Sequence, residues 1–237
     1  MIYITGDTHG HIDCHKLNTS NFPEQRELKK TDYAIVLGDF GFIWSNKNEN
    51  KYWLKWLAEK NFTTLFVDGN HENFDLLNRY PVKNWHGGKV HQISESIFHL
   101  MRGQVFTIEN KTFFTFGGAI SIDKANRKEY ISWWKEELPN YKEQEEGFEN
   151  LLEYGCKIDY VLTHDCPGII RDLMFRQLKV EPIDIEGDSI KIYLNTIFNI
   201  IEFKYWYFGH YHIDLKINSE QKSPEIRCFY DDILKIE

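Results

Sequence analysis

Five short stretches of this chain each end an apolar run with side chains that ligate metals or move protons. They are "GDTHG" (6–10), "LGDFG" (37–41), "GNHEN" (69–73), "LTHDCP" (162–167) and "FGHYH" (208–212). In order, the groups are Asp7 and His9, Asp39, Asn70 and His71, His164, then His210 and His212. Carboxylate and imidazole donors together suit Mn, Fe, Zn or Ni better than Mg or Ca, which prefer all-oxygen shells. The i, i+2 spacing of D-x-H and H-x-H lets extended or tightly turning backbone put both side chains on one side. Taken singly, each stretch is an ordinary strand-end turn or cap, because Asp and Asn favour such places. The ordered set of five is what points to one cavity.

The elements that must position these groups are legible as short buried strands. "IYIT" (2–5), "YAIVLG" (33–38), "TTLFVDG" (63–69), "DYVLTH" (159–164) and "YWYFGH" (205–210) are rich in β-branched and aromatic residues and close on Gly, Asp or His. Amphipathic segments separate several of them. In "ENKYWLKWLAEK" (49–60), Trp53, Trp56, Leu57 and Tyr52 make an apolar face, and "YKEQEEGFENLLEYG" (141–155) predicts a second helix with the acidic run on its solvated face. Strands alternating with helices predict an α/β sheet, with ligands outside the carboxyl ends of the strands. Between residues 89 and 118 the alternation and a turn at "ENKT", read as Asn-Lys, predict antiparallel hairpins that build a second sheet. A turn over "INSEQKSPE" (217–225), between strands "DLKI" and "EIRCFY", would complete that sheet. No repeat, low-complexity tract or linker interrupts the chain, which predicts a single domain over 1–237.

Composition narrows the function classes. With 237 residues, 42% of them hydrophobic, the chain can bury a sizeable core, so global disorder is excluded as an expectation. A net charge of −8 argues against strong non-specific nucleic-acid binding, which needs a basic surface. The four cysteines, Cys14, Cys156, Cys166 and Cys228, form no C-x-x-C pair and are expected to be reduced and structural. The absence of a leader-like segment and of an apolar run near the ~18 residues of a membrane span predicts a cytoplasmic protein without membrane contact.

The ordered set "GDTHG … GDFG … GNHE … TH … GHYH", spanning residues 6 to 212, resembles the calcineurin-like metallophosphoesterase family of bacterial or phage type. The resemblance implies a four-layer α-β-β-α sandwich of two mixed sheets flanked by helices, with a binuclear site at the strand ends. One metal would be held by Asp7, His9, Asp39 and His212, and the other by Asp39, Asn70, His164 and His210, with Asp39 bridging. His71 would lie beside the substrate phosphoryl group as the catalytic side chain. The implied cofactors are two divalent transition-metal ions, Mn being favoured for assays in vitro. The implied reaction is hydrolysis of a phosphorylated substrate by attack of a metal-bound hydroxide in an in-line displacement.

Two departures qualify the resemblance. The common GNHD is here GNHE, so Glu72 has a longer side chain than the usual Asp, and the geometry is altered if that carboxylate orients His71. "GDFGFIW" replaces the GDxxDRG of large Ser/Thr phosphoprotein phosphatases, so their phosphate-binding Arg has no match. A replacement cation is expected in "GGAISIDKANRKEYISWWKEELPN" (117–140), an active-site-bordering insertion in some relatives. There Arg127 is assigned to substrate phosphate, with Asp123 as its orienting partner, because a guanidinium fork suits phosphate oxygens. Asn70 is assigned to the substrate as well as to the metal.

The remaining polar residues are read as structural. His11, His15, His86, His91 and His99 have no ordered partners and are expected to be exposed or satisfied in the core, His11 alone being near enough to reach the cleft. Trp133 and Trp134 are expected to cover a core edge, an aromatic wall for a nucleobase being the alternative. The leading function is hydrolysis of phosphomonoesters of protein or small-molecule type. The alternatives are a nucleotide or nucleic-acid phosphodiesterase, and a non-catalytic metal-binding scaffold, which would be expected to have lost ligands.

Overall fold

The computed structural model describes residues 1–45, 47–181, 188–218 and 224–236. Its strands, in chain order, are β1 (Ile2–Thr5), β2 (Tyr33–Leu37), β3 (Thr63–Val67), β4 (Val82–Trp85), β5 (Gly88–Ser94), β6 (Ile97–Leu100), β7 (Gln104–Ile108), β8 (Lys111–Phe116), β9 (Lys157–Thr163), β10 (Glu202–Phe208), β11 (Leu215–Lys216), β12 (Glu225–Cys228) and β13 (Leu234–Ile236). The helices are α1 (Asn48–Ala58), α2 (Phe74–Leu77), α3 (Tyr141–Glu153), α4 (Gly168–Leu178) and α5 (Ser189–Ile200). None of the helices among the described residues is long and apolar enough to cross a membrane.

Two mixed sheets face each other. One runs β13-β1-β2-β3-β6-β5-β4 and the other β11-β12-β10-β9-β8-β7. Neighbours β1, β2 and β3 are parallel, as are β8, β9, β10 and β12 in the second sheet. The period of two along each strand makes the layers. Ile35 and Leu37 of β2 turn inward to a core shared with Phe113, Tyr160, Leu162 and Tyr207 of the second sheet. Val36 turns outward with Phe66, beneath Leu57 of α1 and Trp134. On the far side, Val161, Trp206 and Phe208 pack under Leu151, Met174, Leu194 and Ile197 of α3, α4 and α5. The result is the expected α-β-β-α sandwich. Strands covered on both faces have to be apolar almost throughout, which is why β1 and β3 are buried along their whole length.

The helices start where the chain offers caps. Asn140 and Glu143 exchange side-chain and backbone hydrogen bonds in a capping box before α3, and Asp188 accepts the Lys191 N–H at the start of α5. In α1, Leu57 is fully buried and Trp53 and Trp56 pack at its sides, whereas Tyr52 remains exposed.

Two expectations need correction. The hairpin-rich stretch from 89 to 118 does not all build the second sheet: β5 and β6 extend the first, and only β7 and β8 enter the second. Alternation reports that a strand has two unlike faces, and both sheets impose that condition equally. The β7–β8 turn sits on Glu109 and Asn110, which both have positive φ (50° and 62°), rather than on Asn-Lys. Two left-handed residues in succession are what a tight two-residue hairpin requires. In the turn expected over 217–225, residues 219–223 lie outside the described residues; its flanks β11 and β12 pair antiparallel as expected, with Leu215 opposite Cys228.

Candidate metal centre

The five groups singled out in the sequence all follow the carboxyl ends of parallel strands. Asp7 and His9 follow β1, Asp39 follows β2, and Asn70 and His71 follow β3 in the first sheet; His164 follows β9, and His210 and His212 follow β10 in the second. The site therefore straddles both sheets. Bringing the loops this close requires glycine beside the ligands. A Cβ on Gly38, whose φ is +99°, would stand 2.0 Å from the His164 ring, and one on Gly69 would stand 2.0 Å from Asp39 Oδ1. The loops are also bent sharply: His9, Asp39, His210 and His212 all have left-handed φ, between 41° and 69°. Such conformations are uncommon for non-glycine residues and persist where the surroundings enforce them.

The donors fall into two groups that meet at Asp39. In the first, Asp7, His9, Asp39 and His212 each present one ligand atom, all within 4.8 Å of one another. His9 Nε2 lies 3.3 Å from Asp39 Oδ2, and His212 Nε2 lies 3.2 Å from Asp7 Oδ2. In the second, His164 Nε2 is 3.4 Å from the other Asp39 oxygen, Oδ1, and 3.1 Å from Asn70 Oδ1. The His210 ring packs edge-on to His164, their centroids 5.0 Å apart. Asp39 thus turns one oxygen to each group.

The chemistry of these donors fits a divalent cation. His164 Nδ1 is 2.8 Å from the Leu37 carbonyl, which can only accept, so Nδ1 carries the hydrogen; burial opposes charge on the ring but Asp39 and Asp7 raise its pKa, so the Nε2 lone pair is the one that takes a proton or a cation. Asn70 Nδ2 donates to Ser121 Oγ, and Ser121 in turn donates to Glu137, which turns the amide oxygen of Asn70 toward that same lone pair. Lone pairs from Asn70, Asp39 and His164 therefore converge, an arrangement that calls for a proton or a metal ion among them. In the first group, Asp7 Oδ2 is buried and, despite His212 Nε2 at 3.2 Å, makes no hydrogen bond of good geometry. His9 Nδ1 contacts Asp13 Oδ2 at 2.7 Å, which fixes the ring with Nε2 facing the site. Burial opposes charge on His9, but the Asp39 hydrogen bond and the Asp39, Asp7 and Asp13 carboxylates outweigh it and push its pKa up to about 9. For Asp39, burial favours the neutral acid, yet His164, His9 and His71 hold its carboxyl below the usual range. Protons and cations compete for the same atoms.

His71 and Arg127 stand at the rim. Arg127 Nη2 is 3.3 Å from His71 Nε2, while its Nε donates to Asp123 at 2.6 Å and its Nη1 to the Ser132 carbonyl at 3.1 Å. The expected Asp123 partnership is therefore present. Burial lowers the His71 pKa and the Arg127 charge lowers it further, against the pull of Asp39. Glu72 does not touch His71 as the GNHE reading allowed. Its buried carboxylate accepts the N–H groups of Phe40 and Gly41, bracing the Asp39 loop, and burial followed by the Asp39 charge raises its pKa. Trp134 covers the core edge, donating to Asp75 and meeting Trp44 edge-on. Cys166 is a buried thiol beside the Tyr211 hydroxyl.

Of the other histidines, His11 lies on the wall of the adjoining cavity, His15 and His86 are exposed, and His91 and His99 are buried and paired with each other. The sequence reading missed Asp13, Ser121 and Glu137, which orient ligands. Asp13 sits four residues after His9, a spacing that becomes informative only once the intervening turn is known.

A family model described as calcineurin-like phosphoesterase matches residues 1–214. The chain belongs to that family. Its Asp7, His9, Asp39 and His212 form a cluster that could hold a metal ion. Among solved structures, the chain is similar to a Staphylococcus aureus protein assigned as a 5′-nucleotidase, in complex with alpha-ketoglutarate, with 15% identity and a TM-score of 0.55. That match covers 100% of this chain and 51% of the other, so this chain spans about half the length of that relative. Another match is the phosphopantetheinyl hydrolase of Mycobacterium tuberculosis, with 14% identity, a TM-score of 0.38, and coverage of 97% of this chain and 89% of that one. No match was found among curated protein sequences.

Proposed function

We propose that this phosphoesterase hydrolyses phosphomonoesters, of protein or small-molecule type, with two divalent transition-metal ions, and that residues 1–237 act as one domain. The observation that carries the binuclear reading is Asp39, whose two carboxylate oxygens face two separate donor groups. Asp7, His9, Asp39 and His212 would hold one ion, and Asp39, Asn70, His164 and His210 the other. When bound, such a pair supplies Lewis acidity at the phosphoryl oxygens and a water of lowered pKa.

The chain's own residues supply the rest. Asp13 keeps the His9 hydrogen on Nδ1, and the Leu37 carbonyl does the same for His164, so each ring offers Nε2 to the centre. Arg127, held by Asp123 and the Ser132 carbonyl, offers its Nη2 hydrogens to phosphoryl oxygens. His71 Nε2 accepts from Arg127 Nη2 in the free chain; once substrate phosphate draws the guanidinium away, Nε2 could take up a proton and pass it to the leaving oxygen or donate it to the phosphoryl group. A cavity of about 640 Å³ opens beside them, lined by Trp44, Ile12, Asn50 and Ile131 among others, and gives the ester's organic part a place to lie. The segment from 117 to 140 borders it through Arg127 and Ile131.

The test is a substrate panel with Mn²⁺, comparing nitrophenyl phosphate, its bis ester, nucleotides, cyclic nucleotides and a phosphopeptide. Faster turnover of monoesters is expected. Preference for the bis ester or a cyclic nucleotide would replace this reading with the phosphodiesterase one, for which the cavity leaves room for a second substituent. A fully metallated chain inactive on the whole panel would favour the scaffold.

A further inference from the structure

The first donor group is braced by a part of the chain that lies beyond the residues matched by the family model. Residues 230–232, between β12 and β13, fold over the Asp214 carboxylate, which accepts the N–H groups of Tyr230, Asp231 and Asp232 at 2.8, 3.0 and 3.0 Å. This turn lays the Tyr230 ring flat on the His212 imidazole, with centroids 4.9 Å apart and planes 23° from parallel. The Tyr230 hydroxyl faces the Asp13 carboxylate, the same group that holds His9. Beneath them lies Lys16, only 2% exposed, whose ammonium donates to the carbonyls of Asp7 and Tyr230 at 2.6 Å each and sits 4.2 Å from the Tyr230 ring centre.

Three ligands of one group therefore converge on a single tyrosine: His212 directly, His9 through Asp13, and Asp7 through Lys16. The arrangement matters most for His212, whose side chain is 48% exposed while His9 and Asp39 are largely buried. A half-exposed imidazole has rotamers to lose on binding a cation, and a ring stacked on one face removes them beforehand. A buried lysine whose hydrogen bonds join two loops also costs too much to leave unpaired, so the Asp7 and Tyr230 loops are locked together.

We propose that Tyr230 is a positioning residue for this metal group, holding His212 in its donor orientation while the Lys16 clasp fixes the Asp7 loop against the turn at 230. The inference rests on the metal centre proposed above, and it predicts unequal effects on the two ions. Among the described residues, Tyr230 makes no hydrogen bond or ring contact with Asn70, His164 or His210 of the second group.

The experiment is a titration of the metal-free 237-residue chain with Mn²⁺ by calorimetry, and with Co²⁺ by visible absorption, for wild type, Tyr230→Ala and Tyr230→Phe. Tyr230→Ala is expected to weaken one of two binding steps by about 10- to 100-fold, as loss of a partner behind a ligand does, and to leave the other step close to wild type. Tyr230→Phe keeps the stacked ring and is expected to restore most of the weakened step. If Tyr230→Ala fails to fold, Tyr230→Leu keeps the bulk without the flat face and is expected to show the same selective loss. Wild-type binding in the Ala or Leu variant, even with a lowered Tm, would overturn the proposal, as would equal weakening of both steps. A wild type with one step, weakened by Tyr230→Ala, would remove the second ion but uphold the positioning role. A wild type that binds no transition metal would overturn the metal centre and this inference with it.

Discussion

Asp39 is the residue on which both donor groups depend, because its two oxygens point to different partners. Asp39→Asn is expected to reduce binding at both sites, whereas His9→Ala should deplete mainly one, and metal analysis after incubation with excess Mn²⁺ distinguishes these outcomes. A wild-type stoichiometry that stays at or below one ion per chain would remove the binuclear reading. His71 behaves differently in this scheme, since its backbone N–H donates to Asp39 Oδ1 while its ring Nε2 meets Arg127 at the rim. His71→Ala should leave metal content intact and lower kcat by roughly 10²- to 10⁴-fold, most severely for alkyl phosphates, whose leaving groups need a proton. Loss of metal in proportion to activity would instead make His71 a ligand. At this scale the sequence was legible for the residues that follow strands, because Asp, Asn and His there have short, fixed relations to the apolar runs. Asp13, Ser121 and Glu137 were not legible. Their contacts depend on how turns fold back, and a carboxylate or hydroxyl in a turn has many ordinary reasons to be there.

Among the elements, the segment from 117 to 140 carries no strand or α-helix but has a clear task. It leaves β8, passes Ser121 and Glu137 behind Asn70, and docks through Trp134 against Asp75 and Trp44. Arg127 is thereby held over the cavity with two partners of its own chain segment. Arg127→Ala is expected to lower kcat/KM by roughly 1.5–3 kcal/mol, the range of a charged hydrogen bond, without changing metal content. Unchanged steady-state kinetics on every active substrate would take Arg127 out of the site. The parallel strands of the fold could be read directly, since burial on both faces writes a continuous apolar run. The division of the hairpins between sheets could not. That assignment is fixed by which edge each strand reaches, β6 beside β3 and β8 beside β9, and edges leave no mark on a strand's own pattern.

For the whole molecule, acid sensitivity is expected from the histidines whose pKa burial lowers, His71 and His210 at the centre and His91 in a separate buried relay. His91 and His99 meet through their Nδ1 atoms at 2.9 Å, His99 Nε2 reaches Asp68 at 3.0 Å, and Arg102 donates to the other Asp68 oxygen. Burial, then the neighbouring His99, pushes the His91 pKa from 6.5 down to about 4. Between those values the unfolded chain binds a proton that the folded chain refuses, so stability falls as pH drops through this window and is recovered above about 6.5. The gap corresponds to roughly 3 kcal/mol. His9, raised to about 9, contributes the opposite slope in the metal-free chain, and only above 6.5. Urea denaturation at pH 4.5 and pH 7 should show the loss, and His91→Gln should flatten it; an unchanged slope in that variant would place the acid sensitivity elsewhere. The centre also has a consequence for the durability of the fold. Its donors come from both sheets, Asp39 and Asn70 from one and His164 and His210 from the other. A cation held there works as a rivet through two plates, and its binding energy adds to the cohesion of the sandwich by mass action. The protein's lifetime would then follow the supply of metal around it, so that scarcity of the ion removes the catalyst itself as well as its activity.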